Sequence, residues 1–297
     1  MSQIKAKVIA KSKSPSGKVI TTFEIEYPRF ILAEFNTHRM LSKNSASSRA
    51  IPVNKVIKQV FSNPAMPISW GKNKPGMSAS EELTGFERKV AIYGWKLSAK
   101  LASMIAFGMV KAGLHKQTAN RILEPYQIMK TVVSGTEWEN FYWLRNHPDA
   151  QPEIAELARK MKIASDGYVA HNLDQDEWHL PYYMDGFWKE DKDDKDIHGY
   201  TLEEARMISV SCCAQTSFRS TDDGLDKAQK VFSRLNLNSE TQPKHSSPTE
   251  HQATPMMEND WMYTVGATGF HERLGLMSGN LSGWIQFRQL IKDNTKW

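Results

Sequence analysis

The chain has 297 residues, of which 40% are hydrophobic, 24% charged and 10% aromatic. This composition is that of an ordinary globular protein with enough length to bury a core, and it excludes a disordered or fibrous chain. The formal net charge of +5 suits an enzyme of phosphorylated substrates as well as a weak nucleic-acid binder, and it does not distinguish between them.

The two cysteines and the distribution of apolar residues predict the cellular compartment of the protein. Cys212 and Cys213 are neighbours, where a disulfide would be badly strained, so a disulfide framework and a cysteine-rich zinc site are excluded. We expect both as small buried side chains. Residues 1–14 lack the apolar core of a signal peptide, and the longest apolar stretch, Leu101 to Val110, is about half the roughly 20 residues that span a bilayer. The sequence therefore predicts a cytoplasmic protein without a membrane partner.

The first elements predicted are two strands between Lys5 and Tyr27, joined by the turn residues 14–17. The second strand is predicted to present one face made of Val19, Thr21, Phe23, Ile25 and Tyr27. Pro28 ends this strand, and residues 29–39 have the apolar spacing of a short helix. A polar segment over 42–49 follows, and residues 64–76 are predicted as a loop.

The remainder of the chain predicts helices. Residues 80–145 are expected to form three helices: one from 80 to about 112, a second over 116–124 and a third that ends at 145. Further helices are expected over 153–164, 201–211, 225–235 and 280–291. Residues 236–248 are predicted as a polar loop, and 174–200 as a surface insertion. The fold class predicted is helix-rich α+β, a small antiparallel sheet flanked by long helices, in one catalytic domain over 1–297.

The densest group of functional side chains lies between Thr37 and Arg49, with two arginines, a histidine, an amide and four serines. Arginine presents a planar fork suited to phosphate, and hydroxyls and amides suit a base or ribose edge. The alternative is a solvated, capped helix junction. Residues 71–76 look superficially like a phosphate-binding loop, but they lack its Gly-Lys-Ser/Thr ending and favour a plain loop.

This segment resembles the signature of the flavin-dependent thymidylate synthases, R-H-R-x-x-S-x-N-E-x-S-x-R-Y. The matching residues are His38, Arg39, Ser42, Asn44, Ser47 and Arg49. The sequence departs from the signature at Thr37, Ser45 and Ala50, where the family has Arg, Glu and Tyr.

Two further blocks carry the resemblance. Residues 121–125, 141–145 and 150–154 are similar to the family's C-terminal block, with departures at Ser134, Thr136 and Asp149. Residues 214–218 and 245–251 are similar to the family's A-R-V-S-Y … G-H-x-S-P-F-E-H, which precedes the signature in usual members. Here this block follows the signature by more than 150 residues, so we infer a circularly permuted relative. Permutation is cheap when the new ends fall in surface loops.

The resemblance implies a fold like that of these synthases and the reductive methylation of dUMP to dTMP. FAD would be the cofactor, with NADPH and methylenetetrahydrofolate as co-substrates. It also implies a homotetramer with active sites shared between subunits, in which His38 and Arg145 come from different chains. A classical thymidylate synthase would need an activated cysteine in a Pro-Cys-His context, and that context is absent from the sequence.

Residue roles carry over at matched positions only. The resemblance makes Arg145 and Ser47 catalytic and assigns Ser47, Arg49, Arg121 and Arg145 to dUMP. It assigns His38, Arg39, Ser42, Asn44, Ser217 and His251 to the flavin, and no residue to a metal. Alternatives are a surface ion pair for Arg39 or Arg145, and for His251 a helix-cap histidine behind a capping box of Ser247 and Glu250.

The departures from the family signature bear on cofactor binding. Threonines at 37 and 136 remove two cations expected beside FAD, so flavin affinity should fall, unless Lys43 or Arg288 compensates.

Competing activities are a pyrimidine nucleotide hydroxymethylase or a dCMP-directed enzyme on the same scaffold. A non-catalytic nucleotide or single-strand nucleic-acid binder would use the nine tryptophans. These mostly fall at helical core spacing without a basic stripe, so no stable nucleic-acid partner is expected. His271 and Glu272 lack the second histidine of a zinc hydrolase motif.

Overall fold

A computed structural model describes residues 3–76, 79, 81–217, 221–257 and 264–295, with the side chain of Ser217 outside the description. Its main sheet has five strands in the order β3-β4-β2-β1-β5. These strands are β1 (Lys5–Lys13), β2 (Val19–Pro28), β3 (Ser42–Ser45), β4 (Ile128–Gly135) and β5 (His171–Asn172). All neighbours are antiparallel except β1 and β5, which are parallel.

The β1–β2 hairpin confirms the two predicted strands. Its turn contains Gly17 at a φ of 84°, a conformation that glycine adopts without strain. Phe23, Ile25 and Tyr27 of the predicted face are fully buried and pack against the helix α6 (Pro152–Asp166) in the main core. The opposite face is buried as well, because Ile20 belongs to a second core shared with residues from the end of the chain.

Strand β4 corrects the helix predicted to end at 145. Residues 128–135 pair with β2 on one side and with β3 on the other, and a helix, α5 (Glu139–Arg145), begins only afterwards. The run Thr131, Val132 and Val133 is β-branched and favours a strand. Both edges of β4 are paired and residues 131–135 are buried on both faces, so its sequence shows no regular alternation of apolar and polar residues.

The other helices of the first half are α1 (Leu32–Phe35), α2 (Val53–Ser62), α3 (Gly85–Lys111) and α4 (Lys116–Ala119). A 3-10 segment over Arg29–Ile31 precedes α1, and another over Asn120–Tyr126 follows α4. The 27-residue α3 packs on α2 through Ala99 and Ala106. Much of the remaining α3 surface is exposed and apolar.

The described part of the second half contains two small sheets and three α-helices. One sheet has the order β12-β8-β6-β7 and the other β11-β10-β9. Their strands are β6 (Trp178–His179), β7 (Phe187–Trp188), β8 (Ala253–Pro255), β9 (Gly269–His271), β10 (Gly275–Ser278), β11 (Leu281–Ser282) and β12 (Trp284–Gln286). The helices are α7 (Leu202–Ala214), which Thr201 and Glu204 begin with a capping box, α8 (Leu225–Arg234) and the short α9 (Phe287–Leu290).

Two predictions for this half are corrected. The aromatic part of 174–200 is not on the surface, because Trp178, Tyr183 and Trp188 are buried in a core with α7, whereas residues 189–195 are at least partly exposed. Of the helix predicted over 280–291 only α9 is helical, and the two short strands β11 and β12 precede it. Gly279 and Gly283, at φ values of 60° and 69°, turn the chain here and prevent a continuous helix.

The fold is therefore α+β as predicted, with three sheets among the described residues and one exceptionally long helix. Cys212 and Cys213 are buried free thiols, as expected, and burial raises the pKa of both. Within the described ranges, no helix has the length and apolar character that crossing a membrane requires.

Candidate active site

Strand pairing brings the signature segment against the second motif block. Ser42 pairs with Ser134 and Ser45 with Thr131, so β3 and β4 lie side by side. The turn before β3 carries His38, and the helix after β4 ends at Arg145. Two sequence blocks about 100 residues apart therefore converge at one end of the sheet.

Arg145 joins these blocks directly. Its Nε donates a hydrogen bond to His38 Nε2 at 2.9 Å, and its Nη1 pairs with the Glu34 carboxylate. Burial first, and then the charges of Arg145 and Lys43, lower the pKa of His38 to about 4. The imidazole is therefore neutral at pH 7 and accepts this bond. His38 and Arg145 meet within one chain, which corrects the expectation that they come from different subunits.

Two clefts meet at Arg145. The cleft beside His38 has a volume of about 390 Å³, with Arg39, Phe141 and Leu144 among its walls. The cleft on the other side has a volume of about 590 Å³ and includes Glu34, Phe30 and Trp95. Arg145 therefore lines both clefts, whereas its partner Glu34 lines only the second.

The side chains of β3 bond to the chain's own second half. Ser42 Oγ donates to Asn280 Oδ1 at 2.9 Å and accepts from Gln286 Nε2 at 3.2 Å. Asn44 Nδ2 donates to the Cys213 carbonyl oxygen. Ser42 is almost wholly buried. The residues that the resemblance assigns to the flavin on this strand are covered rather than open to a cleft.

His251 also lies behind this covered strand. It is fully buried, its Nδ1 is 2.9 Å from Ser134 Oγ, and its Nε2 has no hydrogen-bond partner. The predicted capping box is absent from the described 3-10 segment Ser247–Glu250, since Ser247 contacts Asn44 and Glu250 pairs with Arg288. Arg288 therefore neutralises Glu250 on its own half of the chain.

The candidate phosphate ligands lie on two adjacent loops. Asn120 Nδ2 donates to the carbonyl oxygen of Ser48 at 2.6 Å, which places the Ser47–Arg49 loop beside Arg121. Arg49 is exposed, and the Arg121 side chain is 55% exposed and paired with Glu124 at 3.0 Å. Both guanidinium groups lie at the surface, where a phosphate can reach them.

The two missing cations are replaced by structural threonines. Thr37 Oγ1 donates to the carbonyl oxygen of Glu34 at 2.7 Å and closes the turn of α1. Thr136 Oγ1 accepts from the backbone N–H of Ser282 at 2.9 Å. The candidate cofactor residue Ser217 has its side chain outside the described part of the structure.

The sequence profile of the thymidylate synthase complementing protein family, Thy1, matches residues 3–164, more than half of the chain. The chain belongs to this family. The family match contains both blocks that meet at Arg145. The third block, 214–251, lies outside the match, so the permuted order stays a prediction.

Solved structures to which the chain is similar have low sequence identity to it. The UMP/dUMP methylase PolB from Streptomyces cacaoi, bound with 5-Br dUMP, is 15% identical with a TM-score of 0.45, and the alignment covers 56% of this chain and 90% of that one. The flavin dependent thymidylate synthase ThyX from Helicobacter pylori, complexed with FAD and dUMP, is 20% identical with a TM-score of 0.35. That alignment covers 49% of this chain and 67% of the ThyX chain. No curated protein matches the chain.

Sequence reasoning missed several residues of the site in this Thy1 family chain. Glu34 holds Arg145, and its position one helical turn before His38 was the available signal. Asn280 and Gln286 bond to β3, but they lay in a segment predicted as a packing helix. His179 lay in the predicted surface insertion, and no local pattern marks it as buried.

Proposed function

We propose that this protein methylates a pyrimidine nucleotide reductively, converting dUMP to dTMP with FAD, NADPH and methylenetetrahydrofolate. The observation that carries the proposal is the 2.9 Å contact between Arg145 Nε and His38 Nε2. It joins two motif blocks of the Thy1 family at the point where two clefts meet. A guanidinium at the mouth of a cleft is the group expected for a uracil carbonyl.

Arg145 would orient the base and stabilise negative charge. Glu34 and neutral His38 hold two of its nitrogens, so the plane of the guanidinium is fixed before a ligand arrives. The remaining N–H groups can donate to a uracil carbonyl oxygen as its charge grows during reaction at the ring. A preorganised donor of this kind accelerates such a step without reorganisation.

The phosphate would bind Ser47, Arg49 and Arg121. These residues lie beyond the far end of β3 from Arg145, and the four residues of that strand span about 13 Å. One nucleotide is too short to bridge both ends comfortably. A partner subunit that supplies the second set of ligands resolves the distance, which supports the proposed homotetramer.

The apolar face of α3 supports association with a second copy. Residues at spacings of three and four are exposed along this helix, namely Phe86, Val90, Tyr93, Leu97, Leu101 and Met104. We expect Leu101→Glu to lower the mass of the assembly in light scattering, with Lys96→Glu as a charge control on the same helix. An unchanged mass would contradict α3 as the interface.

The chemistry of the donors allows a flavin in the cleft beside His38. Arg39 offers an exposed guanidinium suited to phosphate or ring carbonyl oxygens, and Phe141 an aromatic wall. His251 is fully buried and does not line this cleft, so it supports the flavin less than Arg39 does. Ser42 and Asn44 are used within the chain and contribute less. The bound flavin would supply hydride, and Arg39 and His38 would hold it.

The test is tritium release from 5-³H-dUMP by the purified protein with FAD, NADPH and methylenetetrahydrofolate. We expect release that depends on all three and a product with the mass of dTMP. Release with a hydroxymethylated product would favour the alternative on the same scaffold. Protein that takes up no FAD and releases no tritium would overturn the proposal.

A further inference from the structure

A chain of buried polar side chains connects the main sheet to the second half of the molecule. His179 Nδ1 lies 2.9 Å from Ser12 Oγ, and His179 Nε2 lies 2.9 Å from Thr22 Oγ1. Thr22 Oγ1 is 2.6 Å from Ser134 Oγ, which is 2.9 Å from His251 Nδ1. All five residues are at most 2% exposed. The chain ends at His251 Nε2, which has no partner.

Both imidazoles in this chain are neutral. Burial lowers the pKa of His251 to about 3, and burial together with the charge of His251 lowers the pKa of His179 to about 3. Each ring therefore has one N–H donor and one acceptor nitrogen, and each hydroxyl has one proton to donate. Four hydrogen bonds must be made from these donors, so the direction of one bond sets the direction of the next.

When the hydrogen bonds run from Ser12 toward His251, every hydroxyl proton is donated to an acceptor. Ser12 donates to His179 Nδ1, His179 Nε2–H donates to Thr22, Thr22 donates to Ser134, and Ser134 donates to His251 Nδ1. His251 then carries its proton on Nε2. The single unsatisfied group along the described chain is this Nε2–H.

The reverse direction leaves two groups unsatisfied. His251 Nδ1–H would donate to Ser134, and the sequence of bonds would end with His179 Nδ1–H donating to Ser12. The Ser12 hydroxyl proton would then lack an acceptor, because its side-chain bond among the described residues is to His179 alone. The bare Nε2 of His251 would also lack a donor. Since each buried unsatisfied group costs free energy, the first direction is favoured.

We propose that the four hydrogen bonds between Ser12 and His251 fix His251 as the Nε2–H tautomer, with Ser12 setting their direction and His179 passing it on through Thr22 and Ser134. His179 is thus a positioning residue for the proton of His251. It lies outside all three motif blocks. The assignment follows from these contacts together with the neutrality of both rings.

The test is ¹⁵N NMR of the full-length protein labelled at histidine, with His179→Gln and His251→Gln used for assignment. We expect both rings to show a protonated Nε2 and an unprotonated Nδ1. A His251 ring protonated at Nδ1 in the unaltered protein would overturn the proposal. If either assignment variant does not fold, Ser12→Ala perturbs the pair and identifies the same signals.

Ser12→Ala removes the donor that selects the direction. Both directions then leave two groups unsatisfied, so His251 is expected to shift from one tautomer to comparable populations of two. Ser14→Ala is the matched control, because Ser14 is a buried serine of the same segment that bonds to Ser16 instead. A His251 signal that Ser12→Ala leaves unchanged would contradict the proposed coupling between Ser12 and His251.

Thr22→Val breaks the middle of the chain and tests the coupling. In this background Ser12→Ala is expected to have no further effect on His251. An equal effect of Ser12→Ala with and without Thr22 would contradict transmission through the hydroxyls. Titration with FAD and dUMP is a separate arm: absence of binding beside the expected tautomers contradicts the proposed function and supports the tautomer assignment.

Discussion

The candidate site divides into two regions with opposite environments. At the open edge, Arg39 is exposed and Arg145 stands between two clefts. On the covered face, Ser42 and His251 are buried and bonded to side chains within the same chain. Residues that the resemblance assigns to one site thus lie at a cleft in one region and inside the fold in the other.

This difference teaches that a motif match does not by itself give each residue the same role. Hydroxyl and amide groups serve ligand or fold equally well, because the hydrogen bond they make is the same. Arg145 is held by His38 and Glu34 and still lines two clefts, so its geometry leaves N–H groups for the ligand proposed above. The comparison predicts loss of activity at the edge and loss of stability on the face.

The largest effect is expected from Arg145→Ala. Removal of a preorganised donor at a developing charge lowers turnover by about 10²–10³-fold. The free energy of unfolding should change little, since the residue is a partly exposed ion pair. Arg159→Ala, which removes an exposed guanidinium on α6, is the control for turnover of dUMP. Retained dTMP formation in Arg145→Ala would refute its role.

On the covered face, Gln286→Leu should lower the free energy of unfolding by about 3 kcal/mol. The two N–H groups of Gln286 Nε2 are shared among three acceptors within hydrogen-bond distance, Ser42 Oγ, Asn280 Oδ1 and the Glu250 carbonyl oxygen, and buried groups left unpaired are costly. Urea unfolding measures the change, and the exposed Gln175→Leu is the control. Equal stability of the two variants would mean that the covered face does not depend on this amide.

Acid should destabilise the covered face through its imidazoles. The pKa of His179 and of His251 is about 3 in the folded chain and about 6.5 when unfolded. Between these values the unfolded chain binds more protons, so the free energy of unfolding falls as pH drops. Each ring contributes about 2 kcal/mol between pH 6.5 and 5.

Urea unfolding at pH 7 and pH 5 measures this loss. His179→Gln should reduce the difference between the two pH values, whereas the exposed His198→Gln should not. The same difference in all three proteins would exclude the buried imidazole as its source.

The smallest effect is expected at the phosphate loops. Arg121 is half-exposed and already paired with Glu124, and such surface pairs contribute at most about 1 kcal/mol. Arg121→Ala should therefore raise KM for dUMP about 5-fold and leave kcat unchanged. Steady-state kinetics decides this, and a fall in kcat alone would place Arg121 outside phosphate binding.

Local patterns predicted the elements whose apolar spacing is clear. The β1–β2 hairpin and the helices α6, α7 and α8 were found because alternation or helical spacing marks them. Strand β4 was missed because most of it is buried on both faces, so its sequence lacks the alternation that marks a half-buried strand. The end of the chain was predicted as a helix because the turns at Gly279 and Gly283 carry no periodic signal.

The sequence by itself determined the fold class, the membership of the Thy1 family through two early motif blocks, and the residue types of the candidate site. Only the tertiary structure decided that Arg145 meets His38 in one chain, and that Ser42, Asn44 and His251 are covered by the second half. The physical reason is that contacts between residues 100 or more positions apart depend on strand pairing and burial, which no local spacing encodes.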